Sequence, residues 1–151
     1  MPLPIYEDNY SACEETFSTL RLYHEDLSPA EITRRLDIQP SEFFVKGDIR
    51  SKRGKLYEIN GWFLSSEHEV DSRDSRKHID WVIDQIWTKK DVVSDLIKEG
   101  WEVDISSYWL SSSGNGGPTL SPYQMERLVG LDLEVWWDIY FSDSDRDLCG
   151  E

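Results

Sequence analysis

The chain has 151 residues, 38% of them hydrophobic, with 16 basic against 30 acidic side chains and a formal net charge of -14. That length suits one domain able to bury a core without metal or disulfide help. The charge argues against nucleic acid and anionic membrane as ligands, because a phosphate binder needs neutralising cations, and it favours a basic partner, whose encounter it speeds.

Seven Trp, seven Tyr and five Phe offset the modest apolar fraction, since each ring buries a large area. Residues 99–151 hold eleven acidic and two basic side chains, so the acidity is concentrated in the last third. Cys13 and Cys149 lie near opposite ends, neither with a second Cys at metal or redox spacing. Free thiols in a reducing compartment are expected, and a disulfide joining the terminal segments has no supporting pattern. The opening MPLPIYEDNY lacks the basic start and apolar stretch of a signal peptide, and no apolar run approaches membrane-spanning length. A cytoplasmic protein is expected.

Residues 1–15 read as a flexible acidic arm. Thr16 to His24 alternates as a strand, with Leu20 and Leu22 on one face and Phe17, Thr19, Arg21 and Tyr23 on the other. In LSPAEITRRLDI, Ser28 is placed to cap a helix, Pro29 to fill its first position and Glu31 to close a capping box, with Leu27 and Ile32 as a staple. Residues 39–55 read as irregular. Lys46, Arg50, Lys52, Arg53 and Lys55 make a strongly basic patch there, with tight turns allowed at Gly47 and Gly54.

Leu56 to Glu67 reads as the next strand, with Gly61 marking a bulge or a close backbone approach. Glu67, Glu69 and Asp71 follow around His68, without the spacing of a helical metal motif. Residues 73–99 carry helical periodicity in Ile79, Val82, Ile83 and Ile86, then in Val92, Val93, Leu96 and Ile97. Thr88 with Asp91 resembles a second cap, so two helices or one kinked helix is expected, ending at Gly100. Trp81 and Trp87 are placed at the core edge, and His78 on an exposed first turn.

Trp101 to Leu110 alternates again. Trp101, Val103, Ile105, Ser107 and Trp109 share one face, and Glu102, Asp104, Ser106, Tyr108 and Leu110 the other. After SSSGNGGPT, a helix starts with Ser121 as cap, Pro122 at the first position, Gln124 closing a capping box and Leu120 with Met125 as staple. Gly130 is expected to end it. Leu133, Val135, Trp137, Ile139 and Phe141 then form an apolar row, opposed by Glu134, Trp136, Asp138 and Tyr140. Two strands joined through one helix usually run parallel. Residues 143–151 read as an acidic tail.

These elements predict an α+β fold: a four-stranded sheet with helices packed on one face, its two β-α-β-like halves joined by a long or kinked helical region. Residues 16–142 form the single domain. The repeated LSP helix starts, followed by Leu36-Asp37 and Leu131-Asp132, favour internal duplication, and the layout approaches a ferredoxin-like one with an inserted helix.

LSPAEITRRLDIQP, the Lys46-Gly47-Asp48 turn, Gly61-Trp62 opening a strand that ends in Leu64-Ser65-Ser66, EVDISSYWL, GNGGPTLSP and the final DIYF together resemble the small bacterial domains grouped as DUF4279, over about residues 16–141. The family usually has a Trp shortly before its Lys-Gly-Asp, where this chain has Phe43 and Phe44. The resemblance implies the fold and a bacterial or phage-related origin. It implies no activity, because the family has no settled one.

No nucleophile or acid–base signature appears, which weighs against an enzyme, and no catalytic residue, cofactor or metal site is assigned. The first expectation is a non-catalytic module, an immunity or inhibitor protein that neutralises a basic effector or toxin. Its contact residues would be Glu102, Asp104, Tyr108, Glu134, Trp136, Asp138 and Tyr140, with the rings as anchors and the carboxylates steering. The second is a small enzyme or ligand sensor that holds an anion between Lys46, Arg50 and Arg53 and the Gly-rich loop at Gly116 and Gly117, assisted by the following helix dipole. Paired carboxylate chemistry would require the strands carrying Asp104 and Asp138 to pair and bring the two together.

Overall fold

A computed structural model describes residues 2–142. In chain order the elements are β1 (Cys13–His24), α1 (Ala30–Leu36), β2 (Glu42–Phe44), β3 (Asn60–Ser65), α2 (Ser75–Ile86), α3 (Lys90–Lys98), β4 (Glu102–Ser111), α4 (Pro122–Leu131) and β5 (Val135–Phe141). Among the described residues the sheet therefore has five strands, not four, in the order β2-β3-β1-β4-β5. The added strand, β2, is three residues of the segment expected to be irregular.

β1 pairs antiparallel with both β3 and β4, β2 antiparallel with β3, and β4 parallel with β5. The expected helix-linked parallel pair is thus β4-α4-β5. The other expected half is different. β1 and β2 point the same way across α1, but β3 lies between them, so that β-α-β unit is split. β1 to β4 follow the split β-α-β order of a ferredoxin-like sheet. α4 and β5 extend it on one side.

Alternation along the strands sends one set of side chains under the helices. Leu20 and Leu22 of β1, Trp62 and Leu64 of β3 and Ile105 of β4 are buried against Ile79, Val82, Ile83 and Ile86 of α2, with Val93 and Leu96 of α3. Each such side chain contributes about 1.5–3 kcal/mol when fully buried. Trp62 also donates its indole N–H to the Thr33 hydroxyl at 3.0 Å, which fixes α1 over β3. Ile139 and Phe141, expected under the helices, remain 50% and 58% exposed because no described helix reaches that end of β5.

The helix ends explain several boundaries. In α4, the Ser121 N–H donates to Gln124 Oε1 at 2.9 Å, as the capping-box spacing requires. Its end is not Gly130. Asp132 adopts the left-handed conformation at φ 56, and the Asp132 and Leu133 N–H groups return to the carbonyls of Val129 and Leu128. This is the Schellman geometry that glycine usually closes. Asp37 takes the same left-handed conformation after α1, but there a single bond, from its N–H to the Thr33 carbonyl, closes the helix. Gly130 lies within the last turn of α4 beside Trp87, where an added Cβ would meet the ring at an ordinary contact distance of 3.4 Å.

Glu31 makes no capping box; it pairs with Arg34 on the exposed side of α1. The break between α2 and α3 falls where expected, but as a 3-10 turn at Trp87–Lys89, with no cap from Thr88. α3 does end at Gly100, at φ 97, with its N–H on the Ile97 carbonyl.

Two buried polar knots were not anticipated. His78 is 1% exposed, not on the surface. Its Nδ1 lies 2.6 Å from the Ser66 hydroxyl and its Nε2 lies 2.8 Å from the Ser72 carbonyl. The carbonyl can only accept, so Nε2 carries the hydrogen and Nδ1 accepts from Ser66. Ser66 Oγ also accepts the Ser18 N–H at 2.9 Å, which ties α2 to β1. In the second knot, Asp80 on α2 accepts from Tyr6, Gln124 and Arg127. Burial pushes its carboxyl up, against the lowering from those donors.

Residues 5–10, expected to be loose, lie along α2. Besides the Tyr6 bond, Arg76 donates to the Ile5 carbonyl, and the Glu7 N–H donates to Asp74, the cap of α2. β1 accordingly begins at Cys13 and not at Thr16. Cys13 is buried, and burial pushes its thiol up to about 11. Cys149 and the expected acidic tail, 143–151, lie outside the described residues. No described helix is long and apolar enough to cross a membrane.

Candidate protein-docking face

The described helices occupy one side of the sheet, and none of them covers the other, called the bare side below. Strand register lays its side chains out in rows. Phe17 of β1 faces Tyr108 of β4, which faces Asp138 of β5. In the next row Ser65, Thr19, Ser106 and Trp136 cross four strands. In the one after, Phe63, Arg21 and Asp104 follow, with Glu134 just before β5.

The rings form two patches. Phe17 stacks on Tyr108 with centroids 4.8 Å apart, and Tyr108 meets Tyr140 at 5.6 Å. Across the face, Tyr23, Phe44 and Phe63 contact one another, and Phe44 stacks on Tyr57 at 4.2 Å. Gly61 makes this possible: an added Cβ would stand 2.1 Å from the Phe44 ring. The expected close approach at Gly61 is therefore an aromatic ring, not backbone.

Arg21 stands between the patches. Its guanidinium forms two bonds to Asp104, at 2.8 and 2.6 Å, and lies 5.3 Å from the centre of the Trp136 ring. The side chains of this pair are just over one-fifth exposed. Hydrogen bonding to Asp104 raises the Arg21 pKa, so the cation persists. Its charge is internally neutralised and offers little to an anion. Burial, then Glu15, Tyr140 and Asp138, raise the Tyr108 pKa.

Between the ring patches runs a groove of about 580 Å³ with Thr19, Ser65 and Ser106 among its lining residues, walled by Phe17 and Phe63. Glu42, Glu67 and Glu69 also line it, and among the described residues none has an ion-pair partner.

The seven residues expected to form a contact surface therefore share the bare side. Trp136 and Tyr140 are each 51% exposed. Asp104 and Asp138 are not neighbours: Asp138 is opposite Tyr108, four residues beyond Asp104 along β4. At a rise of about 3.3 Å per residue they stand ~13 Å apart along the strand, too far for one proton or one metal.

The composite anion pocket is also divided. Lys46 is held at the His24 end of β1, where its N–H bonds Asn60. Arg50 and Arg53 lie in the loop that follows it. Gly116 and Gly117 lie at the other end, against Ala12 and Tyr10. Twelve residues of β1 separate these ends, on the order of 35–40 Å.

The Phe17, Arg21, Tyr23 and Phe63 contribution was missed as part of this surface. Alternation in TFSTLRLYH had already put the first three on one row; only the β1-β4 pairing joins that row to Asp104 and Tyr108. Neither a curated protein nor a solved structure matches the chain. A family model does, over residues 14–142. The span runs from the second residue of β1 to just past the end of β5, and the chain belongs to the family of the domain of unknown function DUF4279.

Proposed function

We propose that this protein is a non-catalytic binding module whose bare sheet face docks a cationic protein, as an immunity or inhibitor protein does to a basic effector. The single observation that supports this most is the exposure of Trp136 and Tyr140 on a face where carboxylates outnumber cations and the central cation, Arg21, is already paired. Aromatic side chains supply most anchor energy in interfaces, and rim carboxylates speed and orient encounter. A face of this kind binds by contact and charge alone and needs no pocket chemistry. The cytoplasm is the compartment in which this reading places it.

The test is calorimetric titration of the purified basic product of a neighbouring gene, with poly-lysine as a control for charge alone. Trp136→Ala should weaken the complex by about tenfold or more, the loss typical of an anchor. Asp138→Asn should weaken it less and flatten the dependence of its affinity on salt. Unchanged affinity in both variants would remove the bare face as the site.

A further inference from the structure

The sheet ends at β2 on one side and β5 on the other. An edge strand presents unpaired N–H and C=O groups, and proteins blunt such edges with short strands, Lys or Pro. β2 is blunted by its three-residue length. β5 is not: its seven residues, VWWDIYF, carry one charge and neither Lys nor Pro.

Two bonds give the backbone directions. The Ile105 N–H donates to the Glu134 carbonyl, and the Ser142 N–H donates to the Ser111 carbonyl. Even-numbered residues therefore turn toward β4, and Val135, Trp137, Ile139 and Phe141 turn their N–H and C=O outward. No described strand lies beyond them. Side chains are open on both sides of the same edge: Trp136 and Tyr140 on the bare face, Ile139 and Phe141 on the helix side.

We propose that a second copy of this chain pairs with β5 edge to edge, antiparallel, about a two-fold axis at Trp137. In that register Val135 meets the second copy's Ile139, and Trp136 meets its Asp138, so every side chain keeps its face and no carboxylate opposes another. Moving the axis to Asp138 would set two aspartates side by side at about 4.5–5.5 Å, which is destabilising. A slip by a single residue would turn the apolar row to the wrong face. The outward groups of Val135, Trp137 and Ile139 then exchange bonds across the axis, and the two bare faces join on one side of a ten-stranded sheet.

Each chain carries a net charge of -14, so the copies repel at long range. Salt screens that repulsion beyond about 8 Å at physiological strength. The dimer should therefore tighten with added salt, whereas docking of a cationic protein should weaken.

Sedimentation velocity on the full chain tests this directly. The expected mass is twice the 17.7 kDa of one chain, more completely so at higher salt. Ile139→Pro removes an outward donor without touching the β4 ladder and should return the mass to that of one chain. Ile139→Lys keeps the backbone intact, sets a charge on the edge and should do the same. A single-chain mass for the unaltered protein up to millimolar concentration would overturn the proposal. So would a dimer that survives the lysine variant.

Discussion

Replacing His78 by Gln removes a ring that is 1% exposed and bonded on both nitrogens. Gln spans the site less completely and leaves one of the Ser66 hydroxyl and the Ser72 carbonyl without its partner. A buried unsatisfied group costs about 1–3 kcal/mol. That is a large part of the 5–15 kcal/mol expected for a domain. The second consequence concerns pH. Burial holds the His78 pKa below its ordinary 6.5. The unfolded chain therefore binds a proton that the folded chain refuses. Stability from the neutral ring is fully present above the unfolded value and is lost as pH falls below 6.5 toward the folded value. The slope is at most about 1.4 kcal/mol per pH unit for one group. Urea unfolding, followed by Trp fluorescence at about pH 8 and about pH 5.5, should show the unaltered protein losing more stability than His78→Gln across that interval. Parallel losses in the two proteins would refute the assignment of a neutral, doubly bonded His78.

Asp80→Ala strips the shared acceptor from Tyr6, Gln124 and Arg127 and should cost about 3–5 kcal/mol by urea unfolding, since it leaves a largely buried guanidinium with only the exposed Asp84. Gly61→Ala drives a methyl into the Phe44 ring and should cost about 1–3 kcal/mol in the same assay, with loss of amide-exchange protection in β2. Asp132→Gly relieves a left-handed non-glycine residue and should raise stability by up to about 1 kcal/mol, seen as a higher melting temperature. Trp136→Ala should cost no more than about 1–2 kcal/mol by urea unfolding, against about 3–5 for Trp62→Ala beneath the helices.

Local chemistry was legible wherever one segment carried the whole signal. Alternation sorted the faces of β1, β4 and β5 correctly, and the Ser121-Pro122-Gln124 start and the Gly100 stop depend only on adjacent residues. Long-range pairing left no such trace. Nothing in Glu42-Phe43-Phe44 announces a strand, because three residues cannot display a period and β2 exists only through its bonds to β3. Gly130 hides the stop at Asp132, since glycine takes the left-handed conformation far more readily than aspartate. His78 looked exposed because charged residues surround it in sequence. Its partners, Ser66 and Ser72, belong to the turn before the helix. The contact surface was half visible: the β4 and β5 rows could be read, but the register separating Asp104 from Asp138 and pairing Asp104 with Arg21 could not.

The most direct measurement is oxidative footprinting of the complex with a cationic partner, comparing side-chain labelling in free and bound protein. Protection of Trp136, Tyr140 and Tyr108, with Met125 and Val129 on the helix side still labelled, is the predicted result. Protection of Met125 and Val129 with the bare-face rings unchanged would contradict it.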